Sequence, residues 1–323
     1  MTEALGLGIA AVLLVPYVLP QSRLDAPTGI ALWLAVLGLR ATLALSLATV
    51  LILYLPATEL FNLLTHWCLH AVVPFVATHL GLDGHRLGDV AILVPALALA
   101  ASALWAAFGV WRGARAVRRW LRRHSLGSGP SSSVIVGGSD VVVAAAGLRA
   151  PRVVVSTGAL LSLDDAELTA GLAHEWGHVT RRHRFVSLAA QCLFAVSRPL
   201  PGGRRALERL HFQLERDADE YAVRRTGDRL ALASAICKAV PGSSATTTPA
   251  LAELGGSGVP ERLRLLADEP GQARSRTTTA FARLLATAAA ALTLAMGVSA
   301  PTLASSGFDQ LQLAATDRTA GCE

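Results

Sequence analysis

The sequence predicts an α-helical membrane protein with one small α+β domain, preceded by about three transmembrane helices and followed by one. Three observations predict it. The 323-residue chain is 52% hydrophobic and only 16% charged, against about 25% charged in an ordinary soluble domain. Four long apolar segments lie at 4–20, 29–55, 90–111 and 280–304. Between the last two lies a polar stretch in which short β-branched runs precede two long helical patterns. The expected order is N-terminal transmembrane helices over 1–111, a basic and Gly/Ser-rich cytoplasmic linker over 112–133, a folded domain over 134–272, and a C-terminal transmembrane helix with a short tail over 273–323.

Residues 4–20 carry no charge. No basic stretch precedes them and Arg23 follows, so a first span with the N-terminus outside suits them better than a cleaved signal peptide. Residues 29–55 form a second span. Arg40 lies inside it, and a charge at mid-bilayer is costly, so Arg40 is expected toward the cytoplasmic end with its side chain reaching the headgroups. Residues 60–88 hold His66, His70, His79 and His85 among apolar residues, and read as an amphipathic or re-entrant segment at the outer surface rather than a metal site. Residues 90–111, at ~1.5 Å per residue, cross a ~30 Å hydrocarbon core. Arg112, Arg115, Arg118, Arg119, Arg122 and Arg123 follow at once and mark the cytoplasmic side. The net charge is +6 and Lys238 is the sole lysine. Because the basic residues flank apolar segments and no nucleic-acid-binding fold accompanies them, the lipid bilayer is the expected partner and nucleic acid is not.

Residues 125–133 read as a flexible linker. Val134–Val136, Val141–Ala145 and Arg152–Val155 are β-branched runs punctuated by Gly and Pro, and predict strands of a small sheet. Ser162 with Asp165 resembles a capping box opening a helix that runs to about His183. Residues 185–200 are apolar but stopped by Pro199 and Pro201, and predict a helix lying on the membrane face. A second long helix is expected from about Arg204 to Arg225, ended by Gly227. Cys68, Cys192, Cys237 and Cys322 are isolated, which excludes a disulfide framework and a cysteine-based metal site.

The chemistry concentrates in residues 174–178, His-Glu-Trp-Gly-His. On a helix, positions i and i+4 lie one above the other, so His174 and His178 aim two imidazoles at one Zn²⁺. Glu175 lies beside them as a general base for hydrolysis. A hydrolytic zinc site needs a third protein ligand and leaves its fourth position open. The second long helix offers Glu215 and, four residues on, Asp219 on the same face. Glu215 completes a His₂Glu set, and Asp219 can accept a hydrogen bond from the distal N–H of a ligand histidine. A solvated charged face with Arg216, Arg224 and Arg225 is the plain alternative for both carboxylates, and His211 competes as third ligand. His183 with Arg181 and Arg182 reads as surface or headgroup contacts, Trp176 as packing. The strand at 152–155 is placed to pair with an extended substrate, and Tyr221, Arg224 or a histidine is available as an oxyanion donor.

Three stretches carry a resemblance: 153–168; 172–183, Leu-Ala-His-Glu-Trp-Gly-His-Val-Thr-Arg-Arg-His; and 214–222, Leu-Glu-Arg-Asp-Ala-Asp-Glu-Tyr-Ala. They resemble the gluzincin membrane peptidases, most of all the M56 family of beta-lactam sensor-transducers. The M48 family, of the HtpX and Ste24 type, shares the E-x-x-A-D-x-x-A pattern and is the runner-up. The similarity extends to the segment beginning at Glu261. The resemblance implies that 134–272 is a zinc metallopeptidase domain, that His174, His178 and Glu215 bind one zinc per chain, and that Glu175 is catalytic. It implies an endopeptidase acting on a cytoplasmic or membrane-proximal protein or peptide, such as a transcriptional repressor in a signalling pathway. A quality-control peptidase of the M48 type, or a non-catalytic signal transducer with a structural zinc core, is the alternative. Only some 20 residues follow the last apolar segment, so the penicillin-binding domain of the sensor-transducers is not expected.

Overall fold

The computed structural model describes residues 2–20, 23–54, 104, 108–109, 111–147, 150–239, 258–268 and 276–320. Over these the chain is mostly helical with one small sheet. It divides into two units, Met1–Ala44 with Val117–Ala295, and Leu45–Ala116 with Met296–Glu323. In the second unit, Phe108 stacks on Trp111 and the Arg115 guanidinium lies 3.8 Å over the Trp111 ring. The first unit holds the sheet and the helices packed on it.

The sheet has four strands, β1 (Ser125–Ser128), β2 (Val134–Val136), β3 (Val143–Ala146) and β4 (Arg152–Ser156), in the order β1-β2-β4-β3. β2 and β4 are parallel, and the other pairs are antiparallel. Val153, Val154 and Val155 are at most 3% exposed, as befits a strand covered on both faces. Two expectations change here. β4 lies between β2 and β3, so its backbone is not free to receive a substrate; among the described residues β3 is an open edge. Ser125–Ser128, expected in the flexible linker, forms strand β1, because ladder hydrogen bonds come from the backbone and need no particular side chain.

α1 (Thr2–Val18) and α2 (Ala26–Tyr54) open the chain, and α3 covers 111–124. α4 (Thr157–Ser162) is capped by Ser156, whose Oγ accepts from Ala159 N at 2.9 Å. α5 (Asp165–Thr180) starts at a capping box made by Asp164 and Glu167, not by Ser162 and Asp165. α6 spans His183–Ser197, α7 Gly203–Thr226, α8 Arg229–Ala239, α9 Val259–Ala267 and α10 Arg276–Ala320. α5 does not run on to His183: Arg182 adopts a left-handed conformation, φ 57°, and breaks it from α6. Gly227, φ 74°, ends α7 as expected, its N–H donating to Val223 O at 2.8 Å.

α5 is the central element. One side packs Leu172 on Val153, Val155, Ala159, Leu163 and Ala235. The other packs Ala170 and Ala173 on Ala222 of α7, Leu232 of α8 and Leu266 of α9.

Two helices among the described residues are long and apolar enough to cross a bilayer, Ala26–Ala48 in α2 and Arg276–Val298 in α10. The apolar part of α1, Ile9–Val18, is shorter. The segment 60–88 and nearly all of the expected span 90–111 lie outside the described residues, so the count of three spans and one is not reproduced. α2 runs antiparallel along α7. Arg216 donates to Leu24 O at 3.0 Å, and Arg40 to Pro201 O. Between these, Gly29 faces Gln213, whose Cδ would sit 2.6 Å from a Cβ at position 29. Arg40 is 5% exposed, held by the protein rather than reaching for headgroups.

Candidate metal centre

α5 and α7 cross at a point where only small residues fit. A Cβ on Gly177 would meet the Ala218 Cα and the Tyr221 side chain, each at 3.2 Å. The glycine of the His-Glu-Trp-Gly-His segment thus allows the backbone approach that brings the motif histidines to the carboxylates of α7. The helical period then does the rest, because His174 and His178 share a face of α5, and Glu215 and Asp219 share a face of α7.

The three donors converge. His178 Nε2 lies 3.2 Å from His174 Nε2. Glu215 Oε2 lies 3.5 Å from His174 Nε2, and its Oε1 3.4 Å from His178 Nε2. Tetrahedral zinc with donors ~2.0–2.1 Å away spaces them ~3.3–3.4 Å apart. Nitrogen, nitrogen and carboxylate oxygen are donors that zinc accepts, so the residues fit such an ion. His174, His178 and Glu215 are a group able to hold a metal. His211 is not in it: its Nε2 contacts Ser187 Oγ at 3.0 Å. Arg224, 54% exposed, pairs with Glu220 on the surface.

Behind the donors stand two acidic residues of α7, each covered by an arginine. Asp219 Oδ1 lies 2.9 Å from His174 Nδ1. The approach is close but not aligned, so this buried nitrogen has the carboxylate's charge without an in-line hydrogen bond. Arg262 of α9 grips Asp219 with two hydrogen bonds, 2.8 Å from Nε and 2.7 Å from Nη2, and places Nη1 2.8 Å from Glu215 Oε2. On the other flank, His183 Nδ1 meets His178 Nδ1 at 3.0 Å and His183 Nε2 meets Asp217 Oδ2 at 3.0 Å. Arg181 Nη1 donates to both Asp217 oxygens, at 2.6 and 2.8 Å. His183 and Arg181, expected at the surface or on headgroups, belong to the site: His183 is 4% exposed. Arg262 and Asp217 lie in stretches that carry the family resemblance, but no spacing rule in the sequence gives either a role in the site.

The electrostatics follow from burial among these charges. Burial opposes charge on His174, but Asp219 and Glu215 outweigh it and raise its pKa to about 10. Burial lowers His178 to about 3, leaving it neutral with a free ring lone pair. Burial also opposes charge on Glu215, yet His174, His178 and Arg262 hold it well below the usual carboxylate range. Asp219, though buried, is held low by His174 and Arg262. Burial pushes Glu175 up to about 7, His174 and Arg262 opposing. Its Oε2 accepts from the Ala145 N–H of β3 at 2.7 Å, which ties it to the open edge of the sheet.

The family model of peptidase family M48 matches residues 114–209. The match takes in the sheet and the whole of α5, and ends before Glu215, Asp219 and Arg262. It covers less than a third of the chain. No curated protein and no solved structure matches. The matching family is the second of the two that the sequence resembles, and M56 kinship has no comparable support. Across its sheet and motif helix the chain is similar to the M48 peptidases, and that similarity supports a peptidase function.

Proposed function

We propose that the chain is a membrane-bound zinc-dependent endopeptidase, with His174, His178 and Glu215 as metal ligands, Glu175 as general base and Asp219 supporting His174. The observation that carries it is the convergence of three donor side chains, whose nearest nitrogen and oxygen atoms lie 3.2–3.5 Å apart, beside a carboxylate that reaches the sheet edge.

Bound zinc would supply Lewis acidity toward a peptide carbonyl and an attacking water. Glu175 takes the water proton and returns it to the leaving amine. β3 receives the substrate as an added strand, which replaces the 152–155 strand in that role. The Ala145 N–H, donating to Glu175 at 2.7 Å, joins that strand to the general base. Asp219 and Arg262 keep His174 and Glu215 oriented.

The substrate is a polypeptide at or near a membrane surface. α2 supports this: Leu24, two residues before the apolar helix Ala26–Ala48, holds Arg216, the neighbour of Glu215. The arginines from 112 to 123 support a cytoplasmic side for the domain.

The test is Glu175→Gln in the full chain. Proteolysis is lost and zinc content stays at one per chain; unchanged cleavage sinks the reading. Comparing cellular protein fragments between the two chains identifies the substrate.

A further inference from the structure

We infer that His183 is a positioning residue that sets the tautomer of His178, relaying the charge of Asp217 to the far side of a metal ligand. The inference rests on the zinc reading above. The two motif histidines are backed differently. His174 faces its carboxylate, Asp219, directly. On the side away from Glu215, His178 meets an imidazole instead: His183 is interposed at Nδ1, and the carboxylate, Asp217, stands behind it.

The order of donors and acceptors follows from Asp217. Its ionised carboxylate only accepts, and Oδ2 lies 3.0 Å from His183 Nε2, so His183 carries its proton on Nε2. The relay requires a neutral His183, and a neutral imidazole has one donor and one acceptor nitrogen, so Nδ1 presents a lone pair. The atom 3.0 Å from it is His178 Nδ1, which must then be the N–H. That leaves the lone pair of His178 on Nε2, the nitrogen that faces His174 and Glu215, and this is the tautomer a metal needs. The opposite assignment would put a proton where the metal binds.

The geometry is built to hold this order. His183 is 4% and Asp217 2% exposed, and Arg181 occupies both Asp217 oxygens, so the carboxylate is ionised and fixed. The left-handed turn at Arg182 aims the His183 ring back at His178, five residues earlier. A continuous helix would place residue 183 well round from residue 178.

The experiment uses the full chain in detergent, with zinc affinity read by chelator competition. His183→Phe keeps the ring volume and removes both nitrogens. His183→Gln keeps one acceptor and one donor. Phe raises the zinc Kd ~10–100-fold, whereas Gln stays within about threefold of wild type. A Phe variant that binds zinc like wild type, or a Gln variant as impaired as Phe, overturns the inference. Should the Phe variant fail to fold, histidine ¹⁵N spectra of the zinc-loaded wild type decide: a neutral His183 protonated on Nε2 supports the relay, and any other protonation overturns it. A wild-type chain that binds no zinc overturns the proposed function as well, whereas wild-type binding with an unaffected Phe variant overturns the relay alone.

Discussion

Replacing Arg262 with methionine removes a guanidinium that touches both carboxylates of α7. Arg262 is 4% exposed and makes two hydrogen bonds to Asp219 and an ion pair to Glu215. Methionine fills similar space but leaves two buried carboxylates, offset only by the charge His174 holds. Removing one partner of a buried ion pair costs about 3–5 kcal/mol, a large part of the 5–15 kcal/mol that holds a typical domain together. For a unit of this size that lowers the unfolding midpoint by roughly 6–20 °C. Saturating zinc should recover part of the loss, because it neutralises Glu215, though not Asp219. Arg262→Lys retains the charge without the fork and falls between. The assay is thermal unfolding of full-length protein in detergent, metal-free and zinc-saturated. A methionine variant within about 1 kcal/mol of wild type in both states would refute the reasoning, since buried charge left uncompensated cannot be that cheap.

Gly177→Ala pushes α5 from α7 by a few tenths of an ångström, and overpacking of this kind costs ~1–3 kcal/mol. Zinc affinity falls because Glu215 moves with α7, and chelator competition reads it; unchanged affinity means the helix spacing does not govern the site. Glu167 accepts from Lys238, Ser234 and the Asp164 N–H, and its pKa is lowered from 4.5 to about 2. A depressed carboxylate stabilises above its unfolded pKa and loses that contribution as pH falls through the folded one. The unfolding midpoint of wild type should therefore exceed that of Glu167→Gln most above pH 4.5, with the gap closing toward pH 2. Ala145→Pro removes the N–H that holds Glu175. An edge strand tolerates this, so the fold survives while peptide hydrolysis falls; full hydrolysis in that variant would separate the contact from the chemistry.

The centre is legible in the sequence where it follows helical periodicity. His174 and His178, and Glu215 and Asp219, are i, i+4 pairs, so spacing alone puts each pair on one helix face. What escapes is what periodicity does not encode. Arg262 reaches Asp219 across 43 residues from a short helix whose resemblance to the family assigns it no role. His183 returns to His178 only because Arg182 turns left-handed, a conformation that arginine does not announce. Ser125–Ser128 joins the sheet through backbone groups, and its Gly/Ser composition points the other way. Residues 152–155 invite a substrate strand because that run is the most β-branched, but the same valines mark it as buried, and the poorer Val-Ala-Ala-Ala run forms the edge.

α2 leaves the peptidase half without an N-terminal seam. A fragment begun after residue 54 would strip the Leu24 carbonyl from Arg216, open a slot beside Gln213 where Gly29 fits, and take Tyr17 and Arg40 from the Gly202 and Pro201 carbonyls. All four changes fall on α7 or on the turn that begins it, the helix that carries Glu215. Lipid thickness and tension act on apolar helices through tilt. In this chain a helix long and apolar enough to cross a bilayer touches the one that carries Glu215, so under the proposed reading bilayer thickness is a variable of the site. Work on an excised soluble domain would leave that variable out.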